Sequence, residues 1–115
     1  MSSEDEISRK VIGAAIEVHR TLGGPGLLEG IYEQALHHEL SLQGLRCQRQ
    51  VAVPVKYKGI IIREPLFLDL LVEEKMIIEV KATDRDHAVH QAQLLTYLCL
   101  SCIKFGLSLK PKTNF

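Results

Sequence analysis

With 115 residues the chain reads as one domain, residues 1–115, long enough for a single hydrophobic core. Its 14 basic and 14 acidic residues cancel, so overall charge does not announce a partner such as nucleic acid. No apolar run approaches the ~18 residues of a membrane span, and the polar opening MSSEDEISRK does not have the form of a secretory signal, so a soluble, cytoplasmic protein that meets no membrane is expected.

Residues 3 to 22 carry a helical pattern. Ser3 and Glu6 can form a capping box, and Ile7, Val11, Ala15, Ile16 and Leu22 lie near one face. Gly23-Gly24-Pro25-Gly26 breaks that helix. A second helix fits Leu27 to Gln43, with Leu28, Ile31, Ala35, Leu36 and Leu40 inward and Gly44 as its stop. Glu29 stands in its first turn, where an acid commonly complements the helix dipole. Tyr32, one turn on, shares that side of the helix and can hold or screen the carboxylate.

The period then changes. Val51, Val53, Val55 and Tyr57 alternate with polar or small residues, a strand that Pro54 marks as an edge. Lys58-Gly59 reads as a turn, and Ile60-Ile61-Ile62 opens the next strand, which Pro65 interrupts. From Arg46 to Arg63 the chain carries five basic residues and no acidic one. Such a strip can track a phosphate backbone, or it can be the solvated face of an edge strand whose lysines discourage aggregation.

Leu66 to Ala82 holds the chemistry. Two apolar runs flank the tip Glu73-Glu74-Lys75, and they carry Asp69, Glu79 and Lys81 where a buried strand should be apolar. A buried charge costs several kcal/mol unless it is paired or metal-bound. Glu79 and Lys81 share a face, roughly 7 Å apart. If the hairpin is centred on Glu74, Asp69 opposes Glu79 and faces the same way; a two-residue tip would turn its carboxylate aside. Two converging carboxylates suit Mg²⁺, which takes oxygen ligands and leaves places for water and phosphate. A structural ion pair to Lys81 is the plainer alternative.

Thr83 to Asp86 offers caps for a third helix over about residues 86 to 101, with Val89, Ala92, Leu95 and Leu100 among its apolar positions. His90, Gln93 and Tyr97 form a polar stripe on it. Gln93 there can reach a site water or phosphate; His90 can do the same or serve the core. Cys99-x-x-Cys102 and Cys47 fit buried thiols better than zinc or redox chemistry. Ile103 to Leu109 is the last strand, and the crossover makes it parallel to the Glu79 strand. The order is ααβββαβ: an α/β protein with a small mixed β-sheet flanked by helices.

These motifs, in this order, resemble the GxxExxY family of the PD-(D/E)XK nuclease-like superfamily. Its naming motif stands as Gly26-Leu27-Leu28-Glu29-Gly30-Ile31-Tyr32. The resemblance extends to Ile16-Glu17-Val18-His19-Arg20, to Asp69-Leu70-Leu71-Val72, to Glu79-Val80-Lys81-Ala82 and to Gln93 through Leu98. It implies a restriction-endonuclease-like core and hydrolysis of phosphodiester bonds in nucleic acid, DNA ahead of RNA. It also implies a Mg²⁺ cofactor, with Mn²⁺ able to replace it. Asp69 and Glu79 would hold the metal, with Glu29 from the helix and the Val80 carbonyl beside them; Lys81 would assist the water, and Gln93 would touch water or substrate. A homodimer embracing a duplex fits the small size. A non-catalytic module binding nucleic acid or protein on the same fold is the alternative. The sequence departs from the family in the extra glycine of Gly23-Gly24-Pro25-Gly26 and in an atypical end over residues 110–115.

Overall fold

A computed structural model describes residues 3–22, 29–81, 87–101, 103 and 105–109. The elements are α1 (Glu4–Leu22), α2 (Glu29–Leu42), β1 (Cys47–Tyr57), β2 (Ile60–Val72), β3 (Met76–Val80), α3 (His87–Ser101) and β4 (Phe105–Leu109). That is the expected order. The strands form one mixed sheet in the order β1-β2-β3-β4, antiparallel up to β3 and parallel between β3 and β4. The break at 23–26, the start of the second helix at Leu27, the caps over 83–86 and the end over 110–115 lie outside the described residues.

Helix α1 begins at a side-chain cap: Ser3 Oγ accepts the Glu6 amide at 3.2 Å. Glu4, Asp5 and Glu6 in the first turn suit the positive end of the helix dipole. Ile7, Val11, Ala14, Ala15 and Val18 face inward, whereas Ile16 and Leu22, expected inward, are exposed. Ile16 falls off the stripe that the 7-11-14-18 spacing defines, whereas Leu22 continues it but is the last residue of the helix. On α2 the buried stripe is Glu33, Leu36 and Leu40 with Tyr32, and Ile31, expected inward, is exposed. Its axial rotation is fixed by Tyr32, whose buried hydroxyl donates to the Ala15 carbonyl at 3.4 Å.

The end of α2 shows why Gly44 stops it. The Gly44 amide bonds the Ser41 carbonyl at 3.0 Å and the Leu45 amide bonds the Leu40 carbonyl at 3.1 Å. This pairing requires a left-handed residue between them, and Gly44 supplies it with φ 83°. Leu45 then packs beside Leu40 in the core.

Strands β1 and β2 form a long ribbon closed by Lys58 and Gly59, both left-handed (φ 49° and 82°), the conformation a two-residue hairpin favours. Pro65 does not interrupt β2, which runs from Ile60 to Val72. The ladder slips instead: Val53 opposes Leu66, Val55 opposes Arg63 and Lys56 opposes Ile61. The extra residues bulge out of β2, and the irregular stretch is where Pro54 and Pro65 lack N–H donors. As Pro54 implied, β1 is an edge.

Two cores flank the sheet. Ile7, Val11, Leu36 and Leu40 pack on Leu70, Val72, Ile78 and Val80. On the other face Tyr97, with Leu94 and Leu98, packs on Val53, Leu68, Leu71 and Ile77. Leu68 and Leu70 should share a face in a regular strand, yet they serve opposite cores. Cys47 and Val51 on β1 are divided in the same way. The ribbon therefore exchanges faces at Gln50 and Asp69, and Gln50 has the left-handed φ of 51° that such a break needs.

Gly44→Ala should destabilise the protein by about 1 kcal/mol, because alanine must adopt the left-handed conformation there. No atom lies within 4 Å of the added methyl, so the loss is purely conformational. Equilibrium urea unfolding would show it as a lower midpoint at an unchanged slope.

Candidate metal centre

The register bears out the three-residue tip. Leu70 opposes Ile78, Leu71 opposes Ile77 and Val72 opposes Met76, which places Asp69 across from Glu79. The tip is held from outside the hairpin. Glu73 and Glu74 are both left-handed (φ 54° and 56°), and Glu73 exchanges bonds with Arg46 through its amide (2.7 Å) and its carboxylate (2.6 Å).

At Asp69 and Glu79 carboxylates replace the ladder. The Val80 amide donates to Asp69 Oδ2 at 2.8 Å, and the Asp69 amide donates to Glu79 Oε2 at 3.1 Å. Each carboxylate thus meets a main-chain N–H on the opposite strand, where buried backbone donors must find partners. The exchange fixes both acids side by side between the parting strands.

Glu79 is 2% exposed, and burial pushes its carboxyl up to about 7. The Asp69 amide and the Lys81 charge oppose that shift, while the charges of Asp69 and Glu33 add to it. Asp69 is raised for the same first reason, burial, against the pull of the Val80 amide. Lys81 stands at the end of β3 with its Nζ 3.9 Å from Glu79 Oε1. Beyond hydrogen-bond distance of that oxygen, the same nitrogen donates to Gln93 Oε1 at 2.8 Å. Gln93 Nε2 in turn donates to the Tyr97 hydroxyl at 3.0 Å. Lys81, Gln93 and Tyr97 are therefore one fixed chain of polar atoms. The side chain of His90 lies outside the described residues.

The helix carboxylate nearest this pair is not the one expected. Glu29 is exposed at the first turn of α2, and Tyr32 spends its hydroxyl on Ala15. Glu33, one turn further along, is 5% exposed. Its Oε2 accepts Arg49 Nη2 at 2.9 Å and Nε at 3.1 Å, and Gln50 Nε2 donates to Oε1 at 3.0 Å. Consecutive strand side chains ordinarily point apart; the left-handed Gln50 lets both reach one carboxylate. The same Gln50 nitrogen stands 3.5 Å from Asp69 Oδ1, so Glu33 is tied through Gln50 to the hairpin acids. One signal would have found it: Glu33 falls three and seven residues before Leu36 and Leu40, on the apolar stripe itself. The GxxExxY residues 26–28 lie outside the described residues.

A buried and a half-buried carboxylate, both with raised proton affinity and hard oxygen donors, fit a divalent cation such as Mg²⁺, which commonly takes one or two carboxylates. Among the described residues no group of three or more His, Cys, Asp or Glu side chains is placed to hold a metal ion, so the remaining ligands would be water, carbonyl or phosphate oxygens. Among the described residues no helix is long and apolar enough to cross a membrane.

An acid pair between parting strands of a mixed sheet, followed by lysine two residues on, defines a restriction-endonuclease-like protein. The chain belongs to the PD-(D/E)XK nuclease superfamily, whose family model matches residues 5–113. No curated protein and no solved structure matches it. The membership makes the chain nuclease-like and points to nucleic acid as substrate; members generally use divalent metals.

In the metal-free protein Glu79 keeps its proton to higher pH folded than unfolded. Between its ordinary value, 4.5, and about 7 the folded state binds the extra proton, so stability falls as pH rises through that window. Thermal melts in chelator should show this decline, and Glu79→Gln should flatten it. Glu33→Ala should cost about 1–3 kcal/mol by urea unfolding, since Arg49 and Gln50 lose their acceptor while Arg49 recovers some hydration.

Proposed function

We propose that the chain is a metal-dependent phosphodiesterase that hydrolyses nucleic acid, DNA ahead of RNA, with residues 1–115 forming one catalytic domain of the GxxExxY branch. The observation that carries this reading is the opposed pair of half-buried Asp69 and buried Glu79, with Lys81 hydrogen-bonded to Gln93 and 3.9 Å from the Glu79 carboxylate. A purely structural ion pair would bring Lys81 closer to its carboxylate.

In this reading Asp69, Glu79 and the Val80 carbonyl hold Mg²⁺, or Mn²⁺ in its place. An ion held there would supply Lewis-acid polarisation of the phosphate. Lys81 orients the attacking water and meets negative charge developing at phosphorus. Gln93 is a positioning residue: it fixes the ammonium, and Tyr97 fixes Gln93. Glu33 takes the helix-acid role ahead of Glu29, steering Asp69 through Gln50. Cutting both strands of a duplex asks for a twofold pair of chains, and a cytoplasmic setting completes the reading.

A binding module without catalysis has one observation in its favour: Asp69, Glu79, Glu33 and Lys81 all have polar partners within the chain. Calorimetry and hydrolysis assays separate the two. Mg²⁺ should bind the wild type and not Asp69→Ala. Lys81→Met should keep metal binding while turnover on DNA falls by about 100-fold or more. Nucleic-acid affinity that persists in chelator and in Asp69→Ala, without hydrolysis by the wild type, would establish the binding module.

A further inference from the structure

The ribbon of β1 and β2 continues well past the sheet. Beyond Val53 and Leu66 it consists of residues 54–65, of which all but Val55 are exposed. Counting along β2 from Asp69 to the turn at Lys58 and Gly59, the arm reaches roughly 25–30 Å from the acid pair. Its tip is apolar: Tyr57, Ile60, Ile61 and Ile62 are each about 60% exposed, Ile61 64%. Around them stand Lys56, Lys58 and Arg63, with Glu64 as the arm's one acid. Lys58 Nζ rests 5.4 Å from the centre of the Tyr57 ring. The bulges on β2 bend and twist the ribbon, so the arm does not run as a flat edge.

Three isoleucines exposed in a row require an occupant. A second copy of the chain fits poorly. Pairing along the free edge of β1 would set Pro54 and Lys56 against their counterparts, residues that block edge-to-edge pairing. Stacking face on face fares no better, because apolar and cationic residues alternate across the ribbon: Lys56 opposes Ile61, and Val55 opposes Arg63. The core of a protein interface is depleted of charge, and here cations stand directly across from apolar residues. A single strand of nucleic acid is also a weak match. Such strands stack on aromatic platforms, and the arm offers Tyr57 alone.

Resting on the nucleic-acid reading of the acid pair, we propose that the β1–β2 arm is a groove-binding ribbon for duplex nucleic acid. Two strands ~5 Å apart with their side chains fit a groove about 12 Å wide. Lys56, Lys58 and Arg63 meet phosphates on its walls, and the isoleucine tip lies against the base edges and thymine methyls on its floor. The arm springs from Gln50 and Asp69, so gripping the duplex also sets the distance between groove and acid pair.

The test is fluorescence anisotropy with a labelled duplex of about 20 base pairs and with either of its single strands, in chelator and again with Ca²⁺. Three full-length proteins are compared: wild type, Lys56→Ala/Lys58→Ala/Arg63→Ala, and Ile60→Ser/Ile61→Ser. All five positions changed are exposed, and melts and sedimentation are recorded for each protein. The charge variant should bind the duplex about 10–100-fold more weakly, and its slope of log affinity against log salt should drop by about 2–3. The tip variant should lose duplex affinity with little change in that slope, and single-strand binding should move less in both. Wild-type binding to the duplex with both variants equal to it would overturn the arm while leaving the nuclease reading intact. No binding of any nucleic acid by the wild type would overturn the nuclease reading and the arm together. A wild-type dimer that Ile60→Ser/Ile61→Ser dissociates, at unchanged duplex affinity, would assign the arm to contact between copies and overturn the proposal.

Discussion

Two main-chain N–H groups at the point where β2 and β3 part, those of Asp69 and Val80, are satisfied by carboxylates and not by carbonyls. Much else depends on that exchange. It explains how one acid can be buried and the other half-buried on apolar strands: each does a backbone acceptor's work, so the cost of removing it from water is offset by a bond the sheet requires anyway. It also explains why the acids converge, since each is anchored to the other's strand. The pair is held together before any cation arrives, at the expense of a Glu79 carboxyl that prefers to stay protonated up to about 7.

The surrounding residues keep this arrangement in register. Arg46 braces the tip through Glu73, and the tip sets the opposition of Asp69 and Glu79. Gln50, in its left-handed conformation, turns the ribbon over at the level of Asp69 and brings Glu33 and Arg49 to the same place. On the other face Tyr97 and Gln93 hold Lys81. Core and site are consequently continuous. Leu70 and Ile78 fill the helix-side core immediately next to the acids, while Leu68 and Ile77 fill the α3 side.

Much of this was legible in the residues. Period-two and period-3.6 patterns place the elements, Gly44 and Lys58-Gly59 mark their ends, and an odd-length tip is the only regular hairpin that lets Asp69 face Glu79. The Gln93 to Tyr97 bond also follows from the i, i+4 spacing of the polar stripe on α3. What could not be read locally was the change of face at Asp69, because it depends on a left-handed glutamine on the neighbouring strand, and glutamine carries no signature for that conformation. The same gap hid Glu33. Glu29 at the helix start matches the family motif, whereas Glu33, an acid on the apolar stripe of α2, is the more anomalous residue. Pro65 misled in the opposite direction: a bulge absorbed its missing N–H, and the strand continued.

The most direct test of the central claim is a carboxyl ¹³C NMR titration of the metal-free protein, repeated with Mg²⁺. The Glu79 carboxyl should titrate near 7 without metal and move down when Mg²⁺ is added, because a cation bound by Asp69 and Glu79 favours their charged forms. Glu79 titrating in the ordinary range of a solvated glutamate, with no response to Mg²⁺ at Asp69 or Glu79, would contradict a buried acid pair built to hold a divalent ion.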